Sequence, residues 1–186
     1  KLKFDSDESP LIEAANGIED MRLFYCGDKL YGIGAGIRDI GGKPSEQREI
    51  KQILLTLDAL GNVLTRNVLE SPFGYAFEKN WMPFEHNSEL HVVYSVDPLS
   101  VLKVQGGQLI PLGDQPPLDE IVHEEMRYRG STNGISFRGG YLFIIHNSRR
   151  YKDKSAYMHY FMFLDRYLNL IQISEPFLFG RPGIEF

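Results

Sequence analysis

Three stretches of the chain follow one pattern: Phe24-Tyr-Cys-Gly27-Asp-Lys-Leu30-Tyr, Phe84-Glu-His-Asn87-Ser-Glu-Leu90-His and Phe137-Arg-Gly139-Gly-Tyr-Leu142-Phe. In each, an apolar run enters, a turn containing Gly or Asn reverses it, and an alternating run such as Leu90-His-Val92-Val-Tyr94-Ser-Val96 leaves. That is the signature of a tight β-hairpin. Phe24 and Phe84 lie 60 residues apart, Phe84 and Phe137 lie 53 apart. Self-similarity at that period predicts repeated four-stranded sheets packed face to face around an axis, which is a β-propeller.

The outer half of each unit is also visible. Leu55-Thr-Leu57-Asp58-Ala-Leu-Gly61-Asn62-Val-Leu64 and Phe163-Leu164-Asp165-Arg-Tyr-Leu-Asn169-Leu-Ile171 read as one kind of outer hairpin, and Ser100-Val-Leu-Lys-Val104 with Gly106-Gly107 and Gln108-Leu-Ile-Pro-Leu112 supplies the middle one. In such turns Asp58 and Asp165 are expected to cap their own backbone. Ile50, Ile53, Leu54 and Leu57 fall on a helical face, so periodicity alone permits a helix over 46–57. The aromatic stretch at the matching place in the third unit, residues 157–163, suits a sheet, and the repeat therefore predicts a strand. Residues 118–126 read as a loop. The expected fold is all-β, with about three four-stranded blades near 16–71, 72–117 and 127–179. Three blades do not close a ring of four to eight, so the chain reads as a single partial propeller domain with further blades outside it, and 183–186 resemble the start of another strand.

Composition narrows the function classes. With 186 residues, 42% of them hydrophobic and 23 of them aromatic (12 Phe, 10 Tyr, 1 Trp), the chain has enough apolar surface for a sizeable core. Twenty Lys and Arg against 25 Asp and Glu leave a net charge of −5, and without a basic stripe no nucleic-acid footprint is expected. The cationic run Arg149-Arg150-Tyr-Lys152-Asp-Lys154 reads as a solvated loop. Apolar runs end at five residues, and no membrane partner is expected. The single Cys26 excludes an intrachain disulfide and a Cys-rich zinc site; it reads as a small packed side chain. The compartment stays open: one Cys and a first stretch without a signal-peptide core are compatible with the cytoplasm.

The functional reading rests on position in the repeat. The units open with Gly17-Ile-Glu19-Asp20-Met-Arg22, with Phe77-Glu78-Lys79-Asn80-Trp81, and with Arg127-Tyr-Arg129-Gly130-Ser131-Thr-Asn133, all more polar than an inner strand requires. Inner strands converge at a propeller axis, so these starts are expected to share one funnel offering carboxylates, cations, amides and an indole. That inventory suits a sugar. Glycosidic cleavage needs an acid at the leaving oxygen and a base or external nucleophile opposite; Asp20 is the candidate acid, with Glu19, Arg22, Glu78, Lys79, Asn80, Trp81, Arg129, Asn133 and His146 as candidate sugar-binding residues. Each also admits a structural reading: ion pairs of Glu19 or Asp20 with Arg22 and of Glu78 with Lys79 or Arg129, a core role for Trp81, and backbone satisfaction by Asn80 and Asn133. Gly32-Ile-Gly34-Ala-Gly36 lies inside a strand pattern with no helix after it, which argues against a phosphate loop. The five histidines show no metal spacing, and no metal or cofactor is expected.

Glu19-Asp20-Met21-Arg22-Leu-Phe, Glu78-Lys79-Asn80-Trp81-x-Pro83-Phe84, and Arg129-Gly130-Ser131 followed by Tyr141-Leu-Phe-Ile-Ile-His146 together resemble motifs of the five-bladed propellers of glycoside hydrolase family 130 and related mannoside phosphorylases and mannosyltransferases. The resemblance implies an inverting reaction on a mannoside. Asp20 would supply the proton, relayed through a sugar hydroxyl, while phosphate or water attacks the anomeric carbon. It also implies a phosphate site in which Lys79 matches the family's lysine and Arg38 one arginine, whereas Tyr94 stands where a histidine is expected and Met21 replaces the motif proline. Hydrolysis, phosphorolysis, glycosyl transfer and a non-catalytic glycan-binding or scaffold role all remain open, with a glycan as partner and phosphate or a sugar donor as a further one.

Overall fold

The computed structural model describes residues 17–39, 48–113, 128–151 and 154–180, with backbone alone at 38–39, 48, 149–151 and 154–155. The side chain of Arg38, the cationic run at 149–154, the loop at 118–126 and the stretch at 183–186 therefore lie wholly or partly outside the described residues. Every regular element among those described is a strand. The first sheet is a meander of β1 (Ile18–Cys26), β2 (Lys29–Asp39), β3 (Arg48–Leu57) and β4 (Val63–Leu69). The second repeats it with β5 (Met82–His86), β6 (Glu89–Val96), β7 (Leu99–Gln105) and β8 (Gln108–Pro111). The third runs β10 (Ile135–Phe137), β11 (Gly140–Tyr151), β12 (Lys154–Leu164) and β13 (Leu170–Ile173), and a two-residue β9 (Arg129–Gly130) also pairs with β11. These are blades of a β-propeller.

The turns explain why the hairpins close where they do. Asn87 and Ser88 both carry positive φ, as do Gly106 and Gly107, the mirror-image geometry that matches the twist of paired strands. The outer turns of the first and third blades are one construction used twice. Asp58 Oδ1 accepts from the Leu60 and Asn62 amides at 2.9 and 2.8 Å, and Asp165 Oδ1 from those of Tyr167 and Asn169 at 2.8 and 2.9 Å. The asparagine side chains bond the second carboxylate oxygens, and these donors hold both carboxyls below the usual carboxylate range.

Residues 48–57 form a strand because β3 lies between β2 and β4 and is buried from Lys51 to Leu55. A strand covered on both sides reads as a continuous apolar run, and such a run satisfies helical spacing by accident. The third hairpin is offset from its counterparts. Phe24 and Phe84 pair with Tyr31 and His91 two residues before the turn, but Phe137 pairs with Gly140 and flanks the turn itself. Ile135 occupies the equivalent place, and Phe137 stays exposed while Phe24 and Phe84 are buried.

Two cores hold the blades together. Phe24, Ile33, Leu54 and Leu69 of the first blade pack with Trp81, Leu90, Val92, Tyr94 and Leu102 of the second. Val93, Val101, Met82 and Phe84 pack with Phe143, Ile145, Met162 and Leu164 of the third. Neighbours on β6 thus serve opposite seams, Val92 and Tyr94 one way and Val93 the other, as the two-residue period of a strand dictates. The far side of the first blade exposes Met21, Leu23 and Tyr25, alternating with buried Phe24 and Cys26. The far side of the third exposes Ile135, Phe161 and Ile171. Burial and the neighbouring Glu85 and Glu89 push the Cys26 thiol up, consistent with a packed side chain.

His91 is buried at the seam between the second and third blades, its ring centroid 5.7 Å from that of Phe84, with Nδ1 3.0 Å from the Glu89 carbonyl. Desolvation lowers its basicity. A folded value below the unfolded one, about 6.5, means that the unfolded chain binds more protons between the two. The contribution is complete above about pH 6.5 and is lost as pH falls through the lowered folded value. Urea unfolding from pH 8 to 5 is expected to show declining stability on acidification, with a shallower decline in His91→Gln. An unchanged slope in that variant would refute the assignment.

Candidate functional site

The inner strand of every blade is irregular at its start. In β1 a bulge separates Glu19 from Arg22, with Asp20 at φ +53°. Asn80, at φ +65°, precedes β5. In the third blade residues 131–134 interrupt the strand between β9 and β10, and the Ser131 and Thr132 amides both reach the Ile144 carbonyl. Bulges end regular alternation and re-aim side chains, and they gather where backbones must approach closely. Two glycines permit that approach. A Cβ on Gly34 would lie 2.6 Å from Ile18 Cγ2 and 2.8 Å from the Glu19 carbonyl oxygen, and one on Gly130 would lie 2.2 Å from the carbonyl oxygen of Asn80.

Arg22 ties these irregular starts together. Its Nε donates to the Ser131 carbonyl at 3.0 Å, Nη1 to the Trp81 carbonyl at 2.9 Å and Nη2 to the Gly130 carbonyl at 3.2 Å. One guanidinium from the first blade thereby fixes backbone of the second and third, using the fork of donors that lysine lacks. Nearby, Asn133 Nδ2 donates to the Leu23 carbonyl at 2.7 Å, the Gly134 amide donates to the Pro83 carbonyl at 2.9 Å, and Ser131 Oγ sits 2.7 Å from His146 Nδ1. Arg22, Ser131, Asn133 and His146, up to 124 residues apart in sequence, form one network.

A cavity of about 270 Å³ opens beside this network, lined in part by Lys79, Asn80, Met82, Val93, Tyr128 and Arg129. A second of similar size takes its walls from all three inner strands, with Phe24, Tyr25, Phe84, Glu85, Ser136 and Tyr141 among them. The first holds three of the residues expected from the sequence. The second holds Glu85, which the sequence reading missed; its Oε2 accepts from the Gly27 amide at 2.6 Å.

Glu78 and Trp81 face elsewhere. The Glu78 carboxylate is fully buried and receives Lys51 Nζ at 3.0 Å, the Tyr94 hydroxyl at 3.2 Å and the Ser71 hydroxyl. Lys51 also donates to the Tyr75 carbonyl at 2.8 Å. The partner of Glu78 is thus Lys51, not Lys79 or Arg129. The Glu78 amide bonds the Ile50 carbonyl at 2.8 Å, anchoring to the first blade the segment that leads into the second. Trp81 is fully buried in the first seam with its ring 5.1 Å from Tyr94, so the indole offers no stacking face. Tyr94, in the place of the expected histidine, has its phenol pushed far up by burial and by Glu78. Glu19 and Asp20 are exposed on the β1 bulge and are not on the wall of the first cavity. The structure therefore does not bring Asp20, Glu78 and Arg129 to one point. Among the described residues no cluster of His, Cys, Asp and Glu is suited to hold a metal ion, and no helix is long and apolar enough to cross a membrane.

No family model and no curated protein sequence matches the chain. Among solved structures, an α-L-arabinofuranosidase from Lactobacillus brevis superposes with a TM-score of 0.51 at 15% identity, over 84% of this chain and 54% of that one. The catalytic domain of the GH62 α-L-arabinofuranosidase of Coprinopsis cinerea gives a TM-score of 0.49 at 13% identity, over 95% and 54%. The first of these likenesses shows a shared fold. The chain spans about half the length of either structure.

Proposed function

We propose that the chain is part of a carbohydrate-active β-propeller that acts on a glycosidic bond. One observation carries the reading: Arg22 of the first blade clasps the Trp81, Gly130 and Ser131 carbonyls of the other two, which ties the irregular starts of three blades together beside a cavity lined by Lys79, Asn80 and Arg129. In this reading Asp20 is the proton donor. Its place on a bulge with positive φ frees it from the strand's alternation, and local strain of that kind gathers at working sites. Asn133 and His146 belong to the network beside the cavity, Lys79, Asn80 and Arg129 on its wall bind sugar or an anionic acceptor, and Arg38 is a further candidate for the acceptor. Water, phosphate or a second sugar attacks from the face opposite Asp20 with inversion. The motif resemblance favours a mannoside, while the first structural neighbour is named for arabinofuranosides, so both belong in the substrate panel. The exposed apolar sides of the first and third blades are the surfaces that additional blades of one ring would cover.

In the complete protein, release of sugar from mannoside and arabinofuranoside substrates is the direct test. Asp20→Asn is expected to lower turnover by about 10²–10⁴-fold while leaving thermal unfolding unchanged, since the residue is exposed. Normal turnover in that variant would remove Asp20 from the mechanism. A second reading, a sugar-binding propeller without chemistry, is favoured by a specific observation: among the described residues the wall of the first cavity includes no carboxylate. Saturable glycan binding with no bond cleavage, with or without phosphate, would support it.

A further inference from the structure

The cavity between the second and third blades is electrically one-sided. Among the described residues its charged lining side chains are Lys79 and Arg129, and no acidic one shares the wall. The nearest acid in sequence, Glu78, is turned into the core and neutralised by Lys51. Most other polar groups on the wall are already engaged: the Tyr94 hydroxyl donates to Glu78, Ser95 Oγ donates to the Pro98 carbonyl at 2.6 Å, and the Gly130 carbonyl accepts from Arg22. The Tyr128 ring packs edge-on to Tyr160. Among the described lining residues, Lys79, Arg129 and the Asn80 amide carry side-chain donors for an occupant. Apolar Ile50, Met82, Val93 and Val96 and the aromatic rings of Phe77 and Tyr128 make up the rest of the described lining.

An occupant that fits must be rich in acceptors, carry negative charge and present an apolar side. A volume of about 270 Å³ lies just under the roughly 300 Å³ where small-molecule sites begin, so it admits one small ring and not a chain of them. A bare inorganic anion would satisfy the cations but leave the apolar wall uncovered. We propose that this cavity is a subsite for a uronic acid residue of a glycan. The ring carboxylate meets the planar donor fork of Arg129 and the ammonium of Lys79, a hydroxyl accepts from Asn80, and the C–H side of the ring lies against Met82 and Val93. A guanidinium recognises a planar carboxylate through paired hydrogen bonds, which gives direction as well as charge. This inference rests on the carbohydrate reading above and deepens it by naming the class of sugar.

The test is calorimetric titration of the full-length protein with methyl glucuronoside, methyl glucoside and inorganic phosphate at low ionic strength. The uronoside is expected to bind saturably, at least tenfold more tightly than the neutral glucoside, with affinity falling as salt is raised because the mouth of the site is exposed. Lys79→Met and Arg129→Met are each expected to reduce uronoside affinity about tenfold and to reduce glucoside affinity by a much smaller factor, so that the preference for the uronoside is lost. Lys79 is exposed, so its replacement does not threaten folding. Equal affinity for the two glycosides would overturn the uronate assignment and leave the glycan reading intact. Phosphate binding at this site without uronoside binding would overturn it in favour of a free-anion site. Binding of neither sugar would remove both the subsite and the cavity's part in the proposed function.

Discussion

Lys51→Met is expected to destabilise the protein by about 3–5 kcal/mol, because it removes the cationic partner of a carboxylate with no exposure to water. The Ser71 and Tyr94 hydroxyls and the Glu78 carboxylate would remain, with nothing to neutralise the charge. The expected signature is non-additivity. Glu78→Gln keeps acceptor and shape while deleting the charge, so Lys51→Met/Glu78→Gln is expected to be more stable than Lys51→Met alone. Denaturant unfolding of the wild type, both single variants and the double variant checks this, and simple addition of the two single effects would refute a coupled pair.

Arg22→Ala is expected to cost about 2–4 kcal/mol, since three part-buried carbonyls on two other blades lose their donor together. For a chain of this size that corresponds to a fall in Tm on the order of 5–15 °C. Arg22→Lys retains the charge but not the fork. It is expected to restore at most about a third of the loss, because one ammonium does not reach the directions that Nε, Nη1 and Nη2 serve at once. Differential scanning calorimetry of the three proteins gives the comparison, and full rescue by lysine would show that charge alone suffices.

How much of this was readable in advance depends on whether a signal is local or relational. The hairpins at Asn87-Ser88 and Gly106-Gly107 are legible because their turns demand residues that tolerate positive φ, and the aspartates at 58 and 165 because an Asx turn needs a short acceptor. The strand at 48–57 required the repeat, since its spacing alone permits a helix. Position in the repeat likewise brought Arg22, Asn133 and His146 into one neighbourhood. Side-chain direction was the harder problem. Glu78, Lys79 and Asn80 are consecutive, yet Glu78 faces the core while its two neighbours line a cavity, and the positive φ at Asn80 disrupts any simple alternation. A readable clue to Glu78 existed in the run Ile50-Lys51-Gln52-Ile53-Leu54-Leu55. A lone cation amid buried aliphatics must find an anion, and that requirement points to a partner without naming it. Glu85 had no such clue, because its role depends on a backbone amide 58 residues away.

Among the described residues, the middle sheet meets another blade on both faces, while each flanking sheet meets another blade on one. Amide protons along β6 should accordingly be among the last to be released into deuterated solvent, and those on the free edges of the outer sheets among the first. Opening would then proceed by peeling from the ends inward. The proposed uronate subsite, which sits on one of the two seams, would come apart whenever its outer neighbour lifts away, so occupancy of that hollow and retention of the third sheet's protons should rise and fall as one quantity.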